Sequence, residues 1–516
     1  MVNRRRSHPA SSRSRRGEHH VAARVAPPAH AEPLAPHRDP AIDEPRFGSA
    51  FDVPAPFGPA EPAAPALAPP AAPVIHVDRP PQGRPRRGAV HVLLRSLALA
   101  YLLVIVAGIV VYKAAFWRMV FVDPVFELYG LIVSSYIISR FGLSLFYRPA
   151  KDAGLEPHVA IVMPAFNEQD AIADSIRSLL ALEYPAGKLQ IVAVNDGSSD
   201  GTLREMNTVA AHSDGRVHVI DFPENRGKRA AMAAGIRATD AEMVAFVDSD
   251  SVVRPDAMRR LVQGFADKRV GAICGHADVL NVRQSVLTRM QAVRYFVAFK
   301  VIKAAESLFG CVTCCSGCFS VYRRSAIIPH LDWWETQSFL GVQSPFGDDR
   351  SLTNCVLRSH RVIYEEQAVS YTIVPHTFKK FMVQQTRWKR SWTRESLIVS
   401  TFIWRKHPLA ALATYVGVIL PLIAPVVALR AIVWHPLVAG AGWPLVYLAG
   451  IYAVALVYGL YFAVRQNRYD ALWLSGVLFV FFYLTFLLWS TYYAILTARS
   501  RSWGTRKATP AAEVAS

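Results

Sequence analysis

The chain has 516 residues, of which 52% are hydrophobic, and a formal net charge of +18. Such a basic excess is compatible with nucleic acid, a membrane surface or an anionic substrate. Long apolar segments favour the membrane and argue against nucleic acid as a partner. The chain is too long for six cysteines to form a disulfide framework, and five of them lie within residues 274–318, so we expect reduced thiols.

Residues 1–88 precede the first apolar segment and carry 18 of the 34 prolines. They contain few large apolar residues, which predicts a disordered tail rich in Pro, Ala and Arg. Two apolar stretches follow, Leu93–Tyr112 and Phe126–Tyr147, and each is long enough to span a bilayer. Arg140 interrupts the second stretch, where an arginine faces the protein interior or snorkels. Together the stretches predict a transmembrane hairpin over residues 89–148.

Residues 150–395 alternate between apolar runs of strand length and amphipathic helical stretches. The runs are HVAIVMPAF, LQIVAVND, VHVIDF and MVAFVDSD. This alternation predicts an α/β fold, a parallel-type sheet flanked by helices on both faces. Ligands of such folds bind at the carboxyl ends of the strands. Three of the four runs end in a polar motif (FNE, NDG or DSD), which predicts a ligand site at that edge.

The DSD motif contributes two carboxylates, Asp248 and Asp250, directly after a buried strand. Oxygen ligands suit Mg²⁺ or Mn²⁺, which typically also bind substrate phosphates. A divalent ion at this position can neutralise a departing diphosphate. The alternative is a turn at the strand end followed by a capped helix.

Two further motifs follow strands in the same block. Asp196 in VNDGSSDGT can accept a hydrogen bond from the ring N–H of a nucleobase, and the alternative is an Asx turn that caps a helix. Lys228 in ENRGKRAAM follows a loop of small residues and precedes a helix. That arrangement suits a phosphate, and the alternative is an exposed basic loop.

The motif FGDDR places two like charges, Asp348 and Asp349, side by side. Their repulsion predicts that one has a raised pKa or that one is paired with a cation such as Arg350. A carboxylate in a crevice beside an activated sugar can take the proton from an attacking hydroxyl. The alternative is a helix N-terminus, where acidic residues favour the helix dipole.

The motif QQTRWKRSW is predicted to be helical, with Gln384, Arg387 and Trp388 on one face. Arginine can bind a diphosphate with two parallel hydrogen bonds, and tryptophan offers a flat apolar surface to a sugar ring. The alternative is an amphipathic helix on the membrane surface, anchored by Lys389, Arg390, Arg394 and two tryptophans. One helix can satisfy both interpretations.

Residues 405–498 predict C-terminal transmembrane helices, with spans near 408–430, 443–464 and 472–497. Three spans after two would place the basic segment RSRSWGTRK outside, against the positive-inside bias. Either one segment is re-entrant, or the stretch containing Pro421 and Pro425 hides a further crossing. Residues 499–516 are predicted to be a cytoplasmic tail.

In chain order, these motifs resemble those of processive family-2 glycosyltransferases with a GT-A fold, over about residues 90–510. The QxxRW signature makes the resemblance specific. AAESLFGCVTCCSGCFSVYR, FGDDRSLTN, QQTRW and WGTR are most similar to the hyaluronan synthases of that family, because chitin synthases more often show GED at the acid motif. The resemblance implies a GT-A-like cytoplasmic domain at 150–395, inserted between transmembrane helices, with Mg²⁺ or Mn²⁺ as cofactor.

The resemblance also implies a role for each motif residue. Asp349 is the expected general base, with Asp348 as its neighbour. The other expected roles are uracil binding by Asp196, diphosphate binding by Lys228, Gln384 and Arg387, nucleotide and metal binding by Asp248 and Asp250, acceptor binding by Trp388, Cys315 and Ser316, and a gating loop containing Trp503 and Arg506.

The cysteines of this segment admit a zinc interpretation, since Cys311 and Cys314, like Cys315 and Cys318, have C-x₂-C spacing. The adjacent pair is awkward for a zinc site, and no second pair follows at the usual distance. We therefore favour small packed thiols in an acceptor-site wall.

The expected activity is inverting, processive transfer from UDP-GlcNAc and UDP-GlcA to a growing polysaccharide, in contact with membrane lipid. The expected location is the plasma membrane, crossed several times, with the catalytic domain cytoplasmic. A chitin-like or other single-sugar polymer is the first alternative. The motif acids argue against an inactive sugar- or lipid-binding protein, and QxxRW with five or more spans argues against non-processive transfer to a lipid acceptor.

Overall fold

The structure is a computed structural model that describes residues 89–115, 117, 123–344, 346–438, 442–466 and 472–500. The predicted N-terminal tail (1–88) and nearly all of the predicted C-terminal tail lie outside these residues. The strands of the described ranges are β1 (Val159–Ala165), β2 (Leu189–Asn195), β3 (Val217–Asp221), β4 (Met243–Phe246), β5 (Ser251–Val253), β6 (Val270–Val279), β7 (Ser320–Arg323), β8 (Ser338–Phe339), β9 (Val342–Gln343) and β10 (Arg361–Thr372).

The helices of the same ranges differ widely in length. The N-terminal and domain helices are α1 (Ala89–Ala115), α2 (Pro124–Phe146), α3 (Ile172–Leu180), α4 (Thr202–Ala211), α5 (Lys228–Arg237), α6 (Ala257–Val262), α7 (Val286–Val297), α8 (Ala304–Leu308), α9 (Arg324–Ile327), α10 (Leu331–Glu335), α11 (Asp348–Ser359) and α12 (Phe378–Ser400). The C-terminal helices are α13 (Pro408–Leu429), α14 (His435–Val438), α15 (Gly442–Gln466), α16 (Leu472–Phe482) and α17 (Ser490–Leu496).

The central sheet has eight strands in the order β3-β2-β1-β4-β7-β6-β10-β5. The four predicted apolar runs form β1 to β4, which are neighbours and run parallel. Every residue of β1 is buried, as expected for a strand covered on both faces. The α/β prediction is therefore confirmed, and the carboxyl ends of β2 and β4 lie at one edge with their polar motifs.

The sheet is mixed, because β7 runs antiparallel to both β4 and β6. The chain enters β7 from the loop after α8, and Gly317 in that loop lies against the Asp248 carboxylate. The loop therefore sits at the carboxyl edge of β4, and the strand that leaves it must run back across the sheet. This reversal brings the loop into the predicted site.

Helices cover both faces of the sheet. Alternate residues of β1 belong to different cores: Ile161 packs with the apolar residues of α3, α4 and α6, whereas Val162 packs with those of α5 and α11. This alternation follows from the two-residue period of a strand. The core that contains Val162 also includes Val399, so α12 packs on the same face of the sheet as α5 and α11.

Three described helices are long and apolar enough to cross a membrane: Pro124–Phe146, Pro408–Val438 and Tyr447–Gln466. A fourth candidate is Leu472–Leu487 together with Ser490–Leu496, which meet at a bend of 42°. The Pro421 and Pro425 stretch, which the sequence left open as a hidden crossing, is one helix. The described apolar part of the first predicted span is the shorter segment Leu99–Ala115.

Candidate active site

One cavity of about 980 Å³ opens at the carboxyl edge of the sheet and reaches the C-terminal apolar helices. Most of the predicted site residues line it: Asp196, Lys228, Asp248, Asp250, Ser316, Asp348, Asp349, Gln384, Arg387 and Trp388. Pro421, Leu487 and Thr491 of the C-terminal apolar helices also line this cavity. Motifs that are up to about 190 residues apart in the sequence therefore line the same cavity. Trp503 and Arg506 lie outside the described residues.

Asp196 follows β2 and organises the loop before α5. Its carboxylate accepts hydrogen bonds from the Asn225 side chain (3.1 Å) and from the backbone N–H groups of Arg226 (2.8 Å) and Gly227 (3.1 Å). Gly227 has a φ of +94°, which favours glycine. Asp196 therefore fixes the turn that delivers Lys228 to the cavity, while uracil binding by Asp196 stays a prediction.

Lys228 connects two acidic motifs. Its Nζ lies 2.6 Å from Asp248 Oδ1 and 3.2 Å from Asp348 Oδ2. Burial alone would lower the pKa of Lys228, but the charges of Asp248 and Asp348 outweigh burial and raise it. The ammonium group is therefore firmly charged, and it joins the DSD motif to the FGDDR motif across the cavity.

The adjacent acids differ in their electrostatic environment. Burial favours a higher pKa for Asp348, but Lys228 and Arg229 prevail and lower it. Burial and the charge of Asp348 together raise the pKa of Asp349. Both predicted consequences of the charge repulsion therefore occur. Asp348 is paired with a cation, and Asp349 has a raised pKa. The paired cation is Lys228, whereas Arg350 acts on Asp349.

The carboxylate of Asp349 is held from two sides and borders the cavity. Its Oδ1 accepts from the backbone N–H of Arg350 at 2.7 Å, and its Oδ2 accepts from the Cys314 thiol at 3.4 Å. Asp348 and Asp349 are also the first two residues of α11, so the helix N-terminus interpretation of FGDDR is correct as well. The Arg350 backbone N–H and the Cys314 thiol therefore orient the Asp349 carboxylate in the absence of substrate.

The DSD carboxylates lie next to each other at the end of β4. Burial and the charge of Asp248 raise the pKa of Asp250 to about 6. In the part of the chain that the structure describes, no group of three or more His, Cys, Asp or Glu side chains could hold a metal ion. A Mg²⁺ or Mn²⁺ ion here would therefore complete its shell with diphosphate oxygens and water, which is the usual environment of Mg²⁺ in nucleotide enzymes. The donor set fits such an ion.

The helix α12 presents Gln384, Arg387 and Trp388 to the cavity. The Trp388 side chain is the most accessible of the three, at 36% exposure. Further along the helix, Arg394 donates to the backbone oxygen of Phe346 at 2.6 Å. The same helix therefore carries the QxxRW residues and fixes the loop that precedes the acid pair.

The cysteine-rich loop lines the same cavity as α12, although not with the predicted cysteine Cys315. Cys315 is fully buried and its backbone N–H donates to Thr353 at 2.9 Å, so Cys314 and Ser316 reach the cavity in its place. Neighbouring side chains of a loop point in different directions. The sequence alone therefore does not show which of the four clustered cysteines reaches the cavity. The Cys311 thiol contacts the backbone oxygen of Phe309. Among the described residues, the cysteines of this loop form no group of three that could hold a metal ion, which gives zinc no support.

Lys303 lines the same cavity, stabilises this loop and belongs to none of the predicted motifs. Its Nζ donates to the Cys274 thiol sulfur at 3.1 Å and to the Cys314 backbone oxygen at 2.7 Å. Burial would raise the pKa of Cys274, but hydrogen bonding with Cys315 and the charge of Lys303 lower it to about 6. The contacts of the Lys303 ammonium group with Cys274 and Cys314 therefore hold the segment that contacts Asp349.

Comparison with known proteins identifies the class. A model of glycosyl transferase family 2 matches residues 160–330. The chain is 34% identical over 386 residues to a hyaluronan synthase of Streptococcus pyogenes, covering 74% of this chain and 90% of that protein. The chain is therefore a glycosyltransferase, and it belongs to glycosyl transferase family 2. Its similarity to a hyaluronan synthase extends over most of both chains.

Other relatives share a smaller part. An N-acetylglucosaminyltransferase of Mesorhizobium japonicum is 38% identical over 248 residues, which covers 47% of this chain and 57% of that protein. A mannosyltransferase of Pyrobaculum calidifontis, solved with GDP-Man and Mn²⁺, has 19% identity and a TM-score of 0.47, covering 69% of this chain and 99% of that chain. The family assignment comes from the sequence relatives.

Proposed function

We propose that this protein is a membrane-embedded, processive, inverting glycosyltransferase that makes hyaluronan from UDP-GlcNAc and UDP-GlcA. The observation that carries the proposal is one continuous cavity. It contains the Asp349 carboxylate, the Lys228–Asp248 pair and Trp388, and it ends at Leu487 and Thr491 on the C-terminal membrane helices. Transfer and export of a polymer require such a connected path.

In this proposal Asp349 accepts the proton of an acceptor hydroxyl. The hydroxyl oxygen then forms a bond to the anomeric carbon of the donor sugar, while the bond from that carbon to the diphosphate oxygen breaks and UDP leaves. A single displacement inverts the anomeric centre. The raised pKa of Asp349 makes it a stronger base than an ordinary carboxylate.

The donor diphosphate would lie between the cationic side chains of the cavity. Lys228 and Arg387 supply positive charge and Gln384 supplies an amide donor, which suits a leaving diphosphate. Asp248 and Asp250 would hold Mg²⁺ or Mn²⁺, which neutralises the charge that develops on the diphosphate. Lys228 would exchange part of its contact with Asp248 for a phosphate oxygen.

The acceptor would lie between Trp388 and the loop wall. Trp388 offers an accessible ring to a sugar, and Cys314 and Ser316 line the same cavity. Trp503 and Arg506 keep their proposed role in a gating loop. The proposed location is the plasma membrane, with the catalytic domain on the cytoplasmic side, where UDP-sugars are available.

A chitin-like polymer is the second candidate, and the similarity to an N-acetylglucosaminyltransferase favours it. The two candidates differ in donor requirement. Purified enzyme in lipid nanodiscs with Mg²⁺ or Mn²⁺ is given UDP-GlcNAc alone, UDP-GlcA alone or both, and UDP release is followed. Sustained release with both donors only, giving a product that hyaluronidase digests, supports the first candidate. Sustained release with UDP-GlcNAc alone supports the second and refutes the first.

A further inference from the structure

Two cations flank Trp388 in the part of the cavity that leads to the membrane helices. The guanidinium carbon of Arg294, on α7, lies 5.5 Å from the centre of the Trp388 ring, and Arg294 donates to Gln385 at 2.6 Å. Lys389 follows Trp388 on α12. Its Nζ contacts the backbone oxygen of Leu487 and donates to Thr491 Oγ1 at 2.7 Å. Both cations line the cavity.

No carboxylate of the described residues neutralises these two charges. Within the described ranges, neither Arg294 nor Lys389 forms an ion pair with a carboxylate, in contrast to Lys228 deeper in the cavity. Burial lowers the pKa of Arg294. Burial and the charge of Arg294 lower the pKa of Lys389 to about 8. Two neighbouring cations in a partly buried site are costly, and an anion placed between them would relieve that cost.

Their position relates them to the acceptor and not to the donor. The donor residues Lys228, Asp248 and Asp250 follow strands of the sheet, whereas Lys389 contacts Leu487, where α16 and its π-helical extension end and the span bends by 42° before α17. Arg294 also lies 5.7 Å from the ring of Phe479 on α16. A sugar chain passing from Trp388 towards the membrane helices would therefore pass these two cations.

We propose that Arg294 and Lys389 form a subsite for the carboxylate of an anionic sugar in the acceptor chain. The ligand class is a uronate-containing oligosaccharide, and the subsite selects it over a neutral chain of the same shape. The inference rests on the proposed function, in which alternate sugars of the polymer are uronates. It adds two specificity residues, one of which lies in a helix without any recognisable motif.

A purely structural role for Lys389 predicts a different behaviour. In a structural role the ammonium group serves only to bond the Leu487 carbonyl, which also accepts a hydrogen bond from the Ser490 hydroxyl at 2.7 Å. A glutamine has amide donors for that carbonyl but carries no charge. Lys389→Gln and Arg294→Gln therefore remove the charge while retaining a hydrogen-bond donor.

The test measures binding of two fluorescent tetrasaccharides to the full-length enzyme in nanodiscs, without donors. One probe is a hyaluronan tetrasaccharide, and the other is the same molecule with its carboxylates reduced to alcohols. Lys379→Gln is the matched control, because Lys379 is an exposed cation on the same helix outside the cavity lining. UDP affinity is measured for each variant, to show that the donor side is intact.

We expect the wild-type enzyme and the Lys379→Gln variant to bind the anionic probe more tightly than the reduced probe. Each cavity variant should lose about tenfold in affinity for the anionic probe and less than about twofold for the reduced probe, as for one charge-assisted hydrogen bond. Equal loss for both probes, or no loss for either, overturns the subsite.

This outcome is independent of the donor experiment. An enzyme that polymerises UDP-GlcNAc alone would refute hyaluronan synthesis, yet selective loss of the anionic probe in the variants would still establish the subsite. An enzyme that makes hyaluronan while both probes bind the variants as they bind wild type would refute the subsite alone.

Discussion

Gly347 places the acid pair, and its replacement by alanine is predicted to misplace it. The residue immediately precedes α11 and has a φ of +81°, in the left-handed region. A Cβ at this position would overlap the Ser391 hydroxyl and lie 2.7 Å from Arg394 Nη2, both on α12. The start of α11 therefore lies against the helix that carries QxxRW, with no room for a side chain.

The cost has two parts of different origin. The left-handed conformation costs an alanine about 1–2 kcal/mol relative to glycine. Overpacking against Ser391 adds about 1–3 kcal/mol, or shifts the start of α11 away from α12. A shift of that kind moves Asp349 relative to the acceptor, and a displacement of about 1 Å can cost about 100-fold in rate.

Gly341→Ala is the matched control, because Gly341 has a φ of +77° and nothing lies within 4 Å of its added Cβ. It isolates the backbone cost without the clash. UDP release under saturating donors and thermal unfolding in nanodiscs are measured for both variants. We expect Gly347→Ala to lose at least about tenfold more activity than Gly341→Ala, with part of the loss recovered by adding Ser391→Ala. Equal activity of the two glycine variants would refute the packing argument.

Two further predictions concern the charges of the site. Asp348→Asn removes the like charge that helps to raise the pKa of Asp349, so that pKa falls. Since the base acts ionised, the acidic limb of kcat/KM should move to lower pH, and an unchanged or higher limb would contradict the assignment. Chelation of divalent ions should stop UDP release, and Mg²⁺ or Mn²⁺ should restore it, because the two DSD carboxylates leave the diphosphate charge uncompensated by themselves. Full activity in chelator would remove the metal from the proposal.

Much of the fold follows from local sequence. The runs that form β1 to β4 are mostly apolar, and three of them end in a polar motif, so the strands and the edge that carries the candidate site could both be predicted. The antiparallel direction of β7 could not be predicted, because it depends on where the preceding loop lies in the folded domain. Pairing of β7 between β4 and β6 is a tertiary outcome.

The candidate site divides in the same way. Motif residues such as Asp349 and Trp388 could be singled out because their motifs are distinctive. The side chains that contact them could not be predicted. The pairing of Lys228 with Asp248 and Asp348 joins three separate segments, and a single sequence carries no signal for it. Arg294 is one arginine among many in a basic chain. The choice of Cys314 over Cys315 depends on side-chain direction in an irregular loop.

The general-base assignment of Asp349 is the central claim, and one substitution tests it most directly. Asp349→Asn keeps the size of the side chain but cannot accept the hydroxyl proton. Asp240→Asn serves as the control, since Asp240 is fully exposed. Polymer synthesis and UDP affinity are measured on the same nanodisc preparations. The account predicts that Asp349→Asn loses about 100-fold to 10,000-fold in polymer synthesis while UDP affinity stays within about twofold. Synthesis close to that of the control would contradict the account.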